Sequence, residues 1–506
     1  MSKRAIVVGA GIAGIATSIR LAKQGYTVDV FEASQYPGGK MSAFENQGYR
    51  FDGGPSLFTM AHLVDELFTL CGEKPSDYFN YQQLDTICHY FFEDGTRFQA
   101  HKSWDKFDES LQGIASDSER KALKKQLDKA AFRYNTTAPL FIEQSLHKIK
   151  NYFNFKTIKG LFYAPKLNLF QSMDRENRTQ VGNKYLVQYL NRFATYNGSD
   201  PYRAPALLNM IPHLEQQLGS YYPDGGMVSI PQSLYQLALR QGVVFHFNHA
   251  VQEIIAPKKR AEGIRVLNKT AQQTRTVLAD VVISNADVYT TYKHLLATHQ
   301  APARTLKQER SSSALVFYWG IAAEFPELHL HNILFSNDYG REFKALFAGG
   351  APDEDPTIYI NITSKCDAND APEGCENWFV MINVPSNVGQ DWAAITAAGR
   401  KHILGKLQRI LGRDIEPLIA CETVLDPLMI EERTSSHGGS LYGTSSNNRF
   451  AAFLRHKNFS DDIKGLYFCG GSVHPGGGIP LCLNSAKIVA QLVSEEESEY
   501  QSKELS

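Results

Sequence analysis

Ala5-Ile6-Val7-Val8-Gly9-Ala10-Gly11-Ile12-Ala13-Gly14 stands near the start of the chain, and Tyr26-Thr27-Val28-Asp29-Val30-Phe31-Glu32 follows a helical pattern that reaches about Gln24. A short apolar run, a glycine turn, a helix and a second β-rich run form a strand–turn–helix–strand unit. The spacing of Gly9, Gly11 and Gly14 allows a tight turn, close approach of backbone to a pyrophosphate, and close helix–strand packing. The phosphates would lie at the positive end of the helix dipole. Glu32 closes the second strand, where a carboxylate can accept both ribose hydroxyls of an adenosine and repels a 2′-phosphate, which disfavours NADP. Glycine-rich turns recur by chance, so the motif gains its meaning from context. Here the strand before, the helix after and the acid about 20 residues on are all present, and they predict a dinucleotide site.

The rest of the 506 residues bounds what surrounds that unit. At roughly 150 residues per domain the length suggests about three structural units. With 43% hydrophobic and 21% charged residues the chain reads as globular, which excludes a disordered, collagen-like or disulfide-framework protein. Lys+Arg number 52 against 53 Asp+Glu, so no nucleic-acid partner is expected. Seven scattered cysteines without a C-x-x-C pair point to a reducing compartment and no zinc site. No secretory h-region and no apolar run of about 18 residues is present, so a soluble or surface-bound protein is expected.

Two further glycine clusters decide between NAD and FAD. Tyr36-Pro37-Gly38-Gly39-Lys40 and Phe51-Asp52-Gly53-Gly54-Pro55-Ser56 offer bare backbone amides along an extended ligand, and Lys40 adds a cation for the pyrophosphate. A simple NAD fold would go on to its next βα unit instead. Near the far end, Gly470-Gly471-Ser472-Val473-His474-Pro475-Gly476-Gly477-Gly478-Ile479-Pro480 separates a strand (Gly465–Cys469) from a closing helix (Leu483–Val493). So many glycines are costly without a ligand. A helix N-terminus there would stabilise negative charge on a reduced flavin, so FAD is the cofactor expected.

Between these ends, Asp105 to Leu190 reads as long helices rich in Lys, Phe and Tyr. Tyr221 opens a β-rich stretch with a helix near Pro231–Gln241 and a strand at Val243–Asn248. Val281–Asp287 reads as a buried strand ending in a turn, and Ser311–Asn383 alternates in the β manner. The tail from Glu495 is polar and expected to fray. With no internal repeat or linker, the domains are expected to interleave. The predicted α/β fold is a Rossmann-like FAD-binding domain (residues 1–95, 222–290 and 440–506), interleaved with a mixed-sheet substrate domain (291–439) and a helical membrane-facing region (96–221).

These residues resemble the flavin amine-oxidase superfamily and, more narrowly, the bacterial-type carotenoid desaturases (the phytoene desaturase family). Ala194–Ala206 followed by Ile211-Pro212-His213-Leu214-Glu215 is similar to that family's central motif. Tyr222-Pro223-Asp224-Gly225-Gly226-Met227 is similar to its second flavin-domain stretch. Pro356–Ile362 with Ala371–Gly374 is similar to its substrate sheet, and Gly470–Pro480 to its C-terminal signature. The resemblance runs through nearly the whole chain in order. It implies FAD contacts at Gly9, Gly11, Gly14, Glu32, Lys40, Gly54, Pro55, Ser56, Val251, Gly470, Gly471, Gly478, Ile479 and Pro480. Many amine-oxidase relatives carry an acid where this chain has Gly471. Gly470-Gly471-Ser472 looks more like the desaturases that act late, at the 3,4 bond of hydroxylated or methoxylated acyclic carotenoids, than like the Gly-Ala-Gly-Thr associated with phytoene desaturases.

What the resemblance implies is an FAD-dependent desaturation of a carotenoid. Such a reaction needs a hydride acceptor, with the residual cation spread over the polyene; flavin N5 fits, and no side chain does. The second hydrogen leaves as a proton from carbon made acidic by that cation, so a weak base or water suffices and no triad is expected. Positioning and water exclusion would carry the catalysis. Asp200 and Arg203 in the central motif, Glu143 and His474 are the candidate catalytic side chains, each with a structural reading beside it. His329 and His331 alternate along a strand pattern with no third ligand, so no metal is expected. Phe162, Tyr163 and Phe170 are candidates for lining a carotenoid tunnel. Lys148, Lys150, Lys156, Lys159 and Lys166 lie among aromatics in a stretch without acids, a composition suited to an anionic bilayer surface or to a basic helix pair. The expected location is therefore cytoplasmic, at the inner face of the cell membrane. A phytoene desaturase, a non-desaturating carotenoid isomerase or saturase, and a lipid-binding flavoprotein are the alternatives.

Overall fold

The computed structural model describes residues 3–148, 151–152, 168, 170–448, 450 and 454–504. Its centre is a five-stranded parallel sheet in the order Val244–His246, Thr27–Phe31, Arg4–Val8, Val281–Ser284, Leu466–Phe468. Ala5, Ile6 and Val7 are fully buried because helices or sheets cover both faces, which is why the strand reads as an uninterrupted apolar run. The first strand lies in the middle, and the chain builds outward from it in opposite directions. That makes the carboxyl end of Arg4–Val8 a topological switch point, where a crevice opens for a ligand. The helix Ile12–Lys23 and the closing helix Ile479–Glu504 pack against each other over this sheet. A three-stranded antiparallel sheet (His249–Ile255, Gly263–Asn268, Gln273–Leu278) adjoins it.

A second, mixed sheet of seven strands runs Ile419–Leu425, Ser313–Ile321, Glu376–Val384, Ile358–Ile362, His331–Leu334, Thr86–Phe91, Arg97–His101. Only the pairing of His331–Leu334 with Thr86–Phe91 is parallel. This moves one expected boundary. Thr86–Phe91 does not belong with the FAD-binding segment 1–95, because Cys88, Tyr90, Phe98 and Ala100 bury into an aromatic core shared with the helices. Likewise Ser220–Pro223 pairs with Phe58–Thr59 and Tyr81–Gln83, across the expected break at residue 221.

The helical part begins with Trp104–Ser110 and Asp117–Phe141. The latter opens on a capping box in which Ser116 and Glu119 each satisfy the other's backbone N–H. Among the described residues no helix is long and apolar enough to cross a membrane. Of the basic-aromatic stretch, Lys148 is described and sits 4.5 Å over the Phe459 ring. Lys150, Lys156, Lys159, Lys166, Phe162 and Tyr163 lie outside the described residues. Phe170 is 85% exposed.

The tail differs from expectation. Helix persists through Glu504, and the first turns beyond Glu495 are tied down. The Tyr467 hydroxyl donates to Glu496, and Glu497 accepts from Tyr26 Oη at 2.6 Å and Lys3 Nζ at 2.7 Å. Acids read as a solvated tail therefore fasten the last helix to the edge of the central sheet.

Candidate functional site

At the switch point the first turn is built to a close tolerance. Gly9 has φ of +98°, and its N–H donates to Phe31 O at 2.8 Å. A β-carbon on Gly14 would strike Gly9 O, and one on Gly11 would come within 2.8 Å of Asn285 Nδ2. Glu32 leaves the neighbouring strand and turns its carboxylate back on this turn. It accepts from Ala10 N–H at 2.7 Å and Ser34 N–H at 2.9 Å. The acid thus shapes the turn, in addition to the ribose contact expected of it. Val251 follows in the adjoining sheet, packed against the core that holds Phe31 and Val8, with His249 N–H bonded to Glu32 O.

The second glycine cluster backs onto the first. Gly38 N–H donates to Ala10 O at 2.8 Å, and a β-carbon on Gly39 would lie 3.3 Å from Gly11 Cα. A β-carbon on Gly54 would collide with Lys40 O, so this loop admits no side chain there. Lys40 itself differs from the pyrophosphate role expected of it: its ammonium donates to Leu441 O at 3.0 Å and Ser440 O at 3.4 Å. Burial pushes it down to about 8, against the pull of nearby Asp287. Ser56 Oγ lies 2.8 Å from the Tyr359 hydroxyl on the seven-stranded sheet.

The last turn closes the site. A β-carbon on Gly471 would come within 3.2 Å of Gly477 Cα, so the turn folds on itself where relatives were expected to carry an acid. Gly478 differs from these. Its φ is +102°, and a β-carbon there would meet no protein atom within 4 Å. The helix Ile479–Glu504 starts at the next residue, with Pro480 in its first turn. Bare backbone, a helix that starts at Ile479 and open space beside Gly478 form a cradle that fits a flavin dinucleotide. Bound FAD supplies the hydride acceptor; the chain supplies its seat.

Three connections were not legible in the sequence. Asn285 sits just past the strand Val281–Ser284 and joins the two glycine turns. Its Nδ2 donates to Gly9 O at 3.2 Å, and its Oδ1 accepts from Cys469 Sγ at 3.7 Å. Asp287 accepts from Arg310 Nη2 at 2.6 Å and caps the following residues through Tyr289 N–H. Ser472 Oγ accepts from Val288 N–H at 3.0 Å. The available signal was positional: these residues follow a buried strand at the switch point.

The catalytic candidates do not converge. Asp200 is buried and accepts from Tyr202 N–H at 2.8 Å, a turn-capping role; burial raises its carboxyl above the usual range. Arg203 pairs with Glu309 at 2.9 Å on the surface. Glu143 is exposed. His474 is buried, its Nε2 lies 2.8 Å from Gln144 O, and burial pushes it down to about 3. It is neutral, with Nε2–H donating to that carbonyl. His329 and His331 diverge: His329 meets Gln99, and His331 meets Tyr359. The central motif instead supplies a buried cluster in which Arg192 bonds Glu215 at 2.5 Å and Tyr196 donates to the same carboxylate.

Comparison with known proteins agrees with this seat. The family described as flavin containing amine oxidoreductase matches residues 12–494. A 1-hydroxycarotenoid 3,4-desaturase from Flavobacterium sp. (strain P99-3) is 51% identical over 491 residues, 97% of this chain and 99% of that protein. A 4,4'-diapolycopene oxygenase from Methylomonas sp is 31% identical over 511 residues, 96% and 97% of the two chains. Among solved structures, an oxidoreductase from Methanosarcina mazei superposes with a TM-score of 0.65 at 16% identity, covering 97% of this chain and 100% of that one. A putrescine oxidase variant gives 0.63 at 15%, covering 98% and 99%. The two glycine turns, their common seat and these matches agree: the chain belongs to the flavin-containing amine oxidoreductase family, with FAD as its cofactor.

Proposed function

We propose that this chain is an FAD-dependent carotenoid desaturase that introduces the 3,4 double bond into a 1-hydroxylated acyclic end group. The observation that carries the reading is the 51% identity, over 97% of this chain, to a protein of that activity. The absence of a converging acid–base pair among the candidate side chains supports it, since a hydride leaving to flavin makes the remaining proton acidic by itself. The substrate dissolves in the bilayer. The lysines and aromatics between Glu143 and Asp174 suit peripheral docking at an anionic membrane surface on the cytoplasmic side.

Purified holoprotein incubated with a defined 1-hydroxycarotenoid tests this. The expected product has two hydrogens fewer, a red-shifted polyene and an unchanged oxygen count. An added oxygen would instead favour the chemistry named for the Methylomonas relative, and an isomer of unchanged mass would overturn desaturation.

A further inference from the structure

The seam between the cofactor turn and the seven-stranded sheet carries a polar chain that the chemistry above leaves unused. Ser56 Oγ meets Tyr359 Oη at 2.8 Å, and Tyr359 Oη meets His331 Nδ1 at 2.8 Å. His331 and Asn361 face each other across paired strands, and Tyr359 lies two residues along. His331 is 2% exposed, and its Nε2 is buried without a hydrogen-bond partner.

The protonation of that imidazole follows from its neighbours. Asn361 Nδ2 is fixed as the amide donor because it also donates to Leu330 O at 3.0 Å. It reaches His331 Nδ1 at 3.2 Å, so Nδ1 accepts. Burial first, and then the positive charge of Arg192, pushes His331 down to about 3, and the ring is neutral. A neutral imidazole accepting at Nδ1 carries its proton on Nε2. His331 therefore presents an N–H donor in an aromatic interior, and a buried donor left unmatched is costly.

We propose that His331 Nε2–H reads the single oxygen of an otherwise hydrocarbon substrate, so that it selects the hydroxylated end group and sets which bond lies over the cofactor. This rests on the carotenoid reading above. In that substrate two carbon–carbon bonds separate the hydroxyl-bearing carbon from the 3,4 bond, so the oxygen must be held close to the cofactor turn. His331 is two hydrogen bonds from Ser56 in that turn. Apolar pockets select through a few placed polar groups, and a site that bonds a hydroxyl rejects the analogue lacking it.

The test uses FAD-loaded protein and a matched pair of carotenoids, hydroxylated and deoxy, with the same conjugation. Equilibrium binding, read from the polyene spectrum, is measured beside kcat/KM. His331→Leu removes the donor at similar volume and should lower the hydroxyl-to-deoxy ratio about 10- to 100-fold, mainly through the hydroxylated substrate. His331→Gln, which keeps an N–H donor, should restore part of the ratio. Tyr359→Phe should lower it less than His331→Leu does, with flavin content unchanged. An unchanged ratio in folded His331→Leu overturns the proposal, as it would if the donor met only a structural water. Should that variant not accumulate as holoprotein, an unchanged ratio in Tyr359→Phe overturns it instead. Wild type that binds both carotenoids but desaturates neither would sink the desaturase reading, while the binding ratio would still decide His331.

Discussion

Glu32→Gln removes one negative charge with almost no change in volume, yet the geometry makes it far from conservative. Both carboxylate oxygens are engaged, one by Ala10 N–H at 2.7 Å and the other by Ser34 N–H at 2.9 Å. A carboxamide has a single acceptor, so glutamine can keep one bond and must set its own NH2 against the other backbone donor. Hydrogen bonds to a charged group contribute about 1.5–3 kcal/mol each, discounted here because the side chain is only half-buried and water can reach it. Loss of one of these internal bonds lowers the stability of the turn, and loss of one such charge-assisted bond to the ribose would correspond to a roughly 10-fold rise in the Kd for FAD. Glu32→Ala should do no better. Titrating FAD into apoprotein while following flavin fluorescence gives the Kd, and the apoprotein melting temperature reports the turn itself. The double role predicts that both fall short of wild type. An FAD affinity in Glu32→Gln within about threefold of wild type would refute the reasoning, since one lost charge-assisted bond is worth more than that.

Other outcomes follow from the same structure. Gly14→Ala places a methyl on Gly9 O and should abolish FAD loading, whereas full flavin absorbance in the purified variant would refute the packing argument. Gly478→Val forces a β-branched residue to φ of +102° and fills the cradle side, so flavin content and product yield should drop while the melting temperature of the remote cores holds; normal flavin and normal desaturation would displace Gly478 from the site. Stability should fall on acidification from about pH 7 to about pH 5. His331 and His474 are pushed down to about 3 and His89 and His456 to about 4, all by burial, so below the ordinary value of 6.5 the unfolded chain binds more protons. Each contributes a slope of up to about 1.4 kcal/mol per pH unit, opposed by Glu342, which burial raises to about 7; a melting temperature flat across that range would contradict this. Replacing Lys148, Lys150, Lys156 and Lys159 by Gln should reduce salt-sensitive binding to anionic vesicles, and equal co-sedimentation of both proteins would remove the docking surface.

The dinucleotide unit was readable because each of its requirements is local. A fully buried parallel strand is a run of apolar residues, and a helix that must touch a strand needs glycine at Gly14. The last glycine turn was readable for the same reason. What escaped were residues whose role depends on distant chain. Nothing near Asn285 in sequence signals that it would bridge Gly9 to Cys469, and nothing around Thr86–Phe91 signals a partner at His331–Leu334. The acids beyond Glu495 look like a solvated tail until Tyr26, Tyr467 and Lys3 are brought beside them. Lys40 was read as a cation for the pyrophosphate, and nothing near it signals carbonyl partners 400 residues away. Periodicity and turn chemistry carry local structure; pairings over long separations are settled by tertiary packing.

The order of strands in the central sheet also sets a timetable for synthesis. Arg4–Val8 is made long before one of its neighbours, Val281–Ser284, and Leu466–Phe468 is made later still. The helix Ile479–Glu504, which packs on the helix Ile12–Lys23, is made after both. Until Val281–Ser284 is made, the buried apolar strand Arg4–Val8 lacks one of its two partners and part of its cover, which calls for shielding of the nascent chain. A protein trimmed by even its last helix would lose not a tail but the step that closes the flavin seat.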